Sequence, residues 1–103
     1  MSYAIVITEQ ADADLRSIFR YIADELKSRQ NASGQLDRLE QSIMKLDQLP
    51  ERFRIYGKEP WHSRGLRIMP VDNYSVFYIA DPDKAIVTVI RVMYGSRNCD
   101  AHL

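Results

Sequence analysis

Cysteine, long apolar runs and net charge are all scarce in this sequence of 103 residues. Cys99 is its single cysteine, which excludes an internal disulfide and the multi-cysteine sites of zinc fingers and iron–sulfur proteins. No apolar stretch approaches the roughly 18 residues of a membrane span, and the first ten residues lack the pattern of a secretory signal. We therefore expect no membrane association and a cytoplasmic location.

Net charge is zero because 14 basic side chains balance 14 acidic ones. Dedicated nucleic-acid binders are usually strongly basic, so this balance argues against that class. The charges are unevenly placed, however: residues 1–50 carry a net −2, residues 51–103 a net +2, and residues 52–67 alone carry +4. Ten of the 14 basic residues are arginine, whose planar fork suits bidentate contact with carboxylate or phosphate.

The length and composition are those of an ordinary globular chain, with 46% hydrophobic and 27% charged residues. A second domain would leave each half of the chain with too little core to be stable. We therefore expect a single domain over residues 1–103. Its four glycines and four prolines are too few for a disordered or collagen-like chain.

The spacing of the apolar residues predicts six elements in the order β-α-α-β-β-β. A β-branched run predicts a strand over 3–7, and apolar residues spaced by three and four predict helices over about 9–27, with Thr8 as N-cap, and 32–48. Three later runs with short connections predict an antiparallel meander: residues 66–69, where Pro70 is expected to end the strand, then 74–80 and 85–94. Packing the two helices on one sheet face gives a two-layer α+β fold with a mainly antiparallel sheet.

One arginine interrupts the apolar pattern of the last strand. Simple alternation groups Arg91 with Val87, Val89 and Met93. Because a lone arginine on a central strand is rarely fully buried, we expect this face to lie away from the helices and to be partly open to water. Arg67 is expected to join Arg91 there if the strand register allows.

The motifs of common enzyme classes are absent: there is no phosphate-binding glycine loop, no nucleophile elbow and no histidine pair on a helix. His62, His102 and Cys99 are expected to be incidental. The remaining candidates share charge or an aromatic ring: Arg64, Arg67, Arg91, Tyr94 and Arg97. One interpretation is surface arginines lying over the sheet beside a packed tyrosine, and the other is a cationic face for an acidic partner or a phosphodiester.

Three stretches give the sequence a recognisable pattern. The first is T-x-x-A-x-x-D-L-x-x-I-x-x-Y from Thr8 to Tyr21, the second runs from Leu46–Pro50 through Arg64 to Tyr78, and the third is VIRVMYGSR over 89–97. Together they resemble the RelE/ParE family of toxins from bacterial type II toxin–antitoxin systems, which include plasmid stabilisation systems. The resemblance implies a RelE/ParE-like fold, in agreement with the element order derived above.

The resemblance implies two different targets. RelE-like members cut mRNA in the ribosomal A site, and the residues here that match such a catalytic set are Arg67, Arg91, Tyr94 and Arg97. ParE-like members act on DNA gyrase and generally lack that set. Ser75 stands where many members have arginine, and the net charge is unsuited to ribosomal RNA, so we favour the gyrase target. The alternatives are the mRNA endonuclease and a non-toxic binding protein on the same fold.

The resemblance also implies a cognate antitoxin and a heteromeric complex, with no cofactor and no metal. In this family a flexible antitoxin segment wraps the toxin, and such segments cover large surfaces when they fold on binding. We expect its apolar side chains against the outer groove of the helical hairpin and a strand added to a free sheet edge. Its acidic side chains are expected opposite the candidate partner-binding residues, which are Trp61, Arg64, Arg67, Arg91 and Arg97.

Overall fold

A computed structural model describes residues 2–95, and within them the elements follow the predicted order. The strands are β1 (Ala4–Ile7), β2 (Leu66–Val71), β3 (Tyr74–Asp81) and β4 (Ile86–Tyr94), and the helices are α1 (Glu9–Arg20) and α2 (Arg29–Met44). A π-helical turn, Tyr21–Glu25, extends α1, and short 3₁₀ turns follow α2 at Lys45–Asp47 and Pro50–Arg52. The α+β class and the β-α-α-β-β-β order are therefore confirmed.

The four strands form one mixed sheet in the order β1-β4-β3-β2. The meander pairs antiparallel, with Leu66 opposite Ile79 and Phe77 opposite Arg91. β1 pairs parallel with β4, placing Ala4 beside Ile86. The helical hairpin carries the chain from β1 to the meander, so β4 becomes a central strand and β1 and β2 become the two edges.

Polar side chains define where both helices begin. The Thr8 hydroxyl accepts a hydrogen bond from the Ala11 N–H at 3.1 Å, as predicted. Ser28 does the same for the Asn31 N–H at 3.3 Å, so α2 begins three residues earlier than its apolar pattern indicates. Each hydroxyl satisfies a backbone donor that has no partner within the helix.

The prediction that Pro70 ends the first strand of the meander is wrong. β2 continues to Val71, with Pro70 opposite Ser75 in the register. β2 is an edge strand, so a residue without an N–H is tolerated where its donor would point away from the sheet.

The sheet is covered on both faces. The main core lies between the sheet and the helices, where Leu39, Tyr78 and Val89 are fully buried. A smaller core of Leu66, Ile68 and Phe77 lies on the other face, and Tyr56 and Trp61 pack against it. We call residues 52–64, which supply both of these aromatic side chains, the arginine segment.

Tyr78 joins the main core to the chain that enters the arginine segment. Its side chain is fully buried, and its hydroxyl donates a hydrogen bond to the Pro50 carbonyl oxygen. Burial raises the pKa of Tyr78 to about 12, with opposing contributions from Arg67 and Arg52. The folded protein therefore holds this phenolic proton at a pH where the unfolded chain, with its pKa near 10, has already lost it.

Stability is expected to fall as the pH rises from 10 to 12, by up to about 2–3 kcal/mol, since only the unfolded state releases the Tyr78 proton in that window. Tyr78→Phe removes this dependence and costs about 1–2 kcal/mol at neutral pH, because the Pro50 carbonyl loses its donor. Urea unfolding of both proteins across this pH range measures the two effects. Parallel pH profiles for wild type and variant would contradict this assignment.

Candidate functional site

A β-bulge in β4 decides where Arg91 lies. The register shifts between Phe77 and Tyr78, which face Arg91 and Val89, so Ile90 is the extra residue. The bulge moves Val92 to the helix-facing set with Val87 and Val89, all three being buried in the main core. The predicted grouping of Arg91 with Val87 and Val89 is therefore wrong: Arg91 pairs with Phe77, whose side chain lies in the smaller core, and its own guanidinium reaches α1 beside β4.

The guanidinium of Arg91 is held by a carboxylate of α1. Its Nε lies 2.7 Å and its Nη2 3.0 Å from the Asp14 oxygens, and the same carboxylate accepts the Val92 N–H at 2.9 Å. Both side chains are mostly buried, Arg91 being 21% exposed and Asp14 16%. The hydrogen bonds to Asp14 raise the pKa of Arg91. β1 ends at Ile7, which pairs with Val89, so β1 does not reach the later residues of β4. Asp14 accepts the hydrogen bond of a backbone group in that part of β4, the Val92 N–H.

The sequence context does not single out Asp14 as a functional candidate, because it is one of three acidic residues near the start of a helix. The signal that could have found it is its partner. An arginine inside an apolar strand requires a carboxylate, and the first helix is the element that packs against that strand.

Arg67 lies on the other face of the sheet from Arg91. It pairs with Tyr78, whose side chain is in the helix-facing core. Its Nη1 donates to the carbonyl oxygens of Phe53 at 2.6 Å and Glu51 at 3.1 Å, and its side chain is 17% exposed. The expectation that Arg67 joins Arg91 is therefore wrong, because antiparallel neighbours share the face of their partners.

Tyr94 lies at the far end of the helix-facing side. It pairs with Tyr74, four residues along β3 from the partner of Arg67, which corresponds to roughly 13 Å at the rise of a strand. Its ring is 68% exposed and meets the Tyr74 ring edge-on at 5.5 Å between centroids. The structure thus separates Arg67, Arg91 and Tyr94. Arg97, the fourth predicted member of the set, lies outside the described residues.

Tyr94 instead lines a wide groove of about 1030 Å³ between the helical hairpin and the end of the sheet. Tyr21, the first residue of the π-helical turn, and Leu26, which follows that turn, also line the groove and are 55% and 58% exposed. At its rim, a 2.7 Å hydrogen bond from the Arg38 Nε lowers the pKa of Asp72, and Gln35 adds a second bond at 3.0 Å. The groove is therefore an apolar channel with a polar, internally paired rim.

The pattern of the whole chain matches one family model. Residues 5–99 match the model described as the ParE toxin of the type II toxin–antitoxin system parDE. The chain belongs to the ParE toxin family. No curated protein matches it.

Solved structures resemble this ParE-family fold at low sequence identity. The chromosomal ParDE system of P. aeruginosa has 16% identity, a TM-score of 0.74, and coverage of 92% of this chain and 98% of the other. The free RelE toxin of E. coli, an arginine variant, has 16% identity, a TM-score of 0.67 and coverage of 99% and 92%. The RelBE2 complex of Mycobacterium tuberculosis has 18% identity, a TM-score of 0.65 and coverage of 91% and 99%. At identities this low, the TM-scores establish a shared fold alone.

The remaining candidates lie on the arginine segment of this ParE-family chain. Arg64 is exposed, and its guanidinium carbon lies 5.2 Å from the centre of the Trp61 ring. The Nδ1 atom of His62 lies 3.3 Å from the Glu59 carboxylate, while Cys99 and His102 fall outside the described residues. Within residues 2–95, no three His, Cys, Asp or Glu side chains come close enough to hold a metal ion, and no helix is long and apolar enough to cross a membrane.

Proposed function

We propose that this ParE-family protein is a growth-inhibiting toxin that acts in the cytoplasm on DNA gyrase, by binding and not by catalysis. The observation that carries the proposal is that the guanidinium groups of Arg67 and Arg91 are both hydrogen-bonded within the fold. Asp14 engages Arg91 through two hydrogen bonds, and backbone carbonyl oxygens engage Arg67. A ribonuclease of the RelE type needs cationic groups directed together at one scissile phosphate, whereas these two guanidinium groups are bound by different parts of the fold, α1 and the backbone of Glu51 and Phe53.

We further propose that the cognate antitoxin, which neutralises the toxin, binds in the groove between the helical hairpin and the sheet. Solved relatives of this fold are described as toxin–antitoxin complexes. The groove offers three large apolar or aromatic side chains to a partner: Tyr21, Leu26 and Tyr94. An amphipathic helix placed in such a channel buries one apolar face. Since Arg67 and Arg91 are engaged within the fold, they are not expected to bind the antitoxin.

The Tyr94→Phe variant tests the proposal against the nuclease alternative. Inducing the wild-type gene without its neighbouring gene is expected to arrest bacterial growth, and Tyr94→Phe is expected to arrest it equally. The substitution removes a hydroxyl from a ring that is 68% exposed while keeping its contact with Tyr74. A nuclease that uses this hydroxyl for proton transfer would lose on the order of 10²–10⁴ in rate, and the variant would then be harmless. Normal growth with wild-type protein at full expression would contradict the toxin proposal itself.

A further inference from the structure

The arginine segment concentrates positive charge along the outer edge of β2. Residues 52–64 hold four basic side chains and one acidic one, whereas the rest of the chain holds ten basic and thirteen acidic. The single acidic residue, Glu59, is engaged within the segment by the Ser63 hydroxyl and by His62. The segment is therefore a local cationic surface on a neutral protein.

Although it contains no strand or helix beyond its first residue, the segment is held firmly in place. The Tyr56 N–H donates to Leu66 at 2.7 Å and the Ile68 N–H to Arg54 at 3.1 Å, with Ile55 bridging to Arg67. Farther along, the N–H groups of Arg64 and Leu66 both donate to the Trp61 carbonyl oxygen at 3.1 Å. Gly65, at φ +79°, then turns the chain into β2 in a conformation that favours glycine.

Two arginines of the segment, Arg54 and Arg64, are exposed. Ile55 pairs with Arg67 on the helix-facing side, so alternation places Arg54 and Tyr56 on the other side, where Trp61 also packs. The guanidinium groups of Arg54 and Arg64 have no carboxylate within ion-pair distance among residues 2–95. Arg64 lies over the Trp61 ring, and Trp61 packs against the smaller core. The Arg64 side chain therefore has less rotamer freedom to lose when it binds a partner.

We propose that the arginine segment is the surface by which the toxin grips its target, and that it takes an acidic segment of the target protein. Arg54 and Arg64 would pair with carboxylates while Trp61 supplies apolar contact. The proposal rests on the proposed function, because it assigns the target a surface separate from the antitoxin groove. Trp61 packs on the face of the sheet opposite the helices that form that groove.

An acidic protein segment suits this surface better than a nucleic acid does. Affinity for a nucleic acid comes mainly from many phosphate contacts and from long-range attraction, and this chain has no net charge to supply the attraction. A few carboxylates need only a few well-placed guanidinium groups, each of which can bind in a bidentate manner. Two exposed arginines fixed on a firmly held segment meet that requirement.

The test reverses the charge of this surface with the double variant Arg54→Glu/Arg64→Glu. The matched control, Arg20→Glu/Arg29→Glu, makes the same charge change at exposed positions of the helical layer. Three measurements are made on the purified proteins and their genes: growth arrest on induction, the concentration that half-inhibits gyrase supercoiling, and binding of a short DNA duplex. Thermal unfolding checks that each variant is folded.

We expect the double variant to need at least about ten-fold more protein for half-inhibition and to lose growth arrest, while the control behaves as wild type. Arg64→Lys keeps the charge but loses the planar fork, so we expect its half-inhibiting concentration to lie between those of wild type and the double variant. If the double variant does not fold, Arg64→Lys provides the test in its place. Undiminished arrest and inhibition by the charge-reversed protein would overturn the inference. A parallel loss of duplex binding would overturn the acidic-protein assignment in favour of phosphates. Wild-type protein that fails to arrest growth would instead mark failure of the proposed function.

Discussion

Replacing Asp14 with alanine is expected to lower the free energy of unfolding by about 2–4 kcal/mol. The Asp14 carboxylate accepts two hydrogen bonds from Arg91 and one from the Val92 N–H. Its loss takes two charge-assisted hydrogen bonds from a largely buried guanidinium and leaves the Val92 N–H without its acceptor, which is costlier than the interaction itself is favourable. Arg91 and Asp14 are each about one fifth exposed. Water therefore screens part of their interaction, and the expected loss of stability lies toward the low end of the range for buried pairs. Urea denaturation followed by circular dichroism measures the loss.

Asp12 provides the matched control for Asp14, since it lies two residues earlier on the same helix. Asp12 pairs with Arg16 one turn away, but both side chains are about half exposed or more, at 48% and 68%. Exposed pairs of this spacing contribute about 0.3–0.5 kcal/mol, so Asp12→Ala is expected to have an effect of that size. Equal losses for the two variants would show that Asp14 does not hold β4 to α1 in the way described.

Leu26→Glu is expected to weaken antitoxin binding about 100-fold while leaving the fold intact. Leu26 is 58% exposed and lines the groove beside Tyr21 and Tyr94, so a charge there adds little strain to the free protein. In a complex, the same charge would be buried against an apolar antitoxin face, and interference at the centre of an interface costs several kcal/mol. Calorimetric titration with the product of the adjacent reading frame gives the affinity.

Met44→Glu is the control for the groove. Met44 is 57% exposed, and the substitution introduces the same charge on the same hairpin. It lies six residues along α2 from Arg38, the nearest groove residue of that helix, which corresponds to roughly 9 Å at the rise of a helix. We expect its antitoxin affinity to match that of wild type. If Met44→Glu weakened binding as much as Leu26→Glu, the groove would not be the antitoxin site.

The order of elements was predictable from the sequence because it depends on periodicity and local stops. Thr8 caps α1 as predicted, and the connection between the last two strands is short as predicted, with the Asp81 carboxylate accepting the N–H groups of Asp83 and Lys84. Each of these features is decided within a few residues of chain. Pro70 was misread because whether a strand tolerates proline depends on its place in the sheet, which no local window contains.

The candidate site was less predictable, since it depends on register. One extra residue at Ile90 exchanges the faces of every later residue of β4, and no residue type in that stretch signals the bulge. The pairing of Arg67 with Tyr78 likewise follows from the register of β2 on β3. The residue types identified the arginines as unusual, but only the fold reveals that Asp14 binds Arg91 and that the Glu51 and Phe53 carbonyl oxygens bind Arg67.

The central claim, that the toxin acts on gyrase by binding, is tested most directly by giving one purified preparation two substrates. The account predicts that wild-type protein inhibits gyrase supercoiling or traps cleaved DNA, and that it leaves mRNA on translating ribosomes intact at the same concentration. Cleavage of A-site mRNA with a 2′,3′-cyclic phosphate at the new end, together with unimpaired supercoiling, would contradict it.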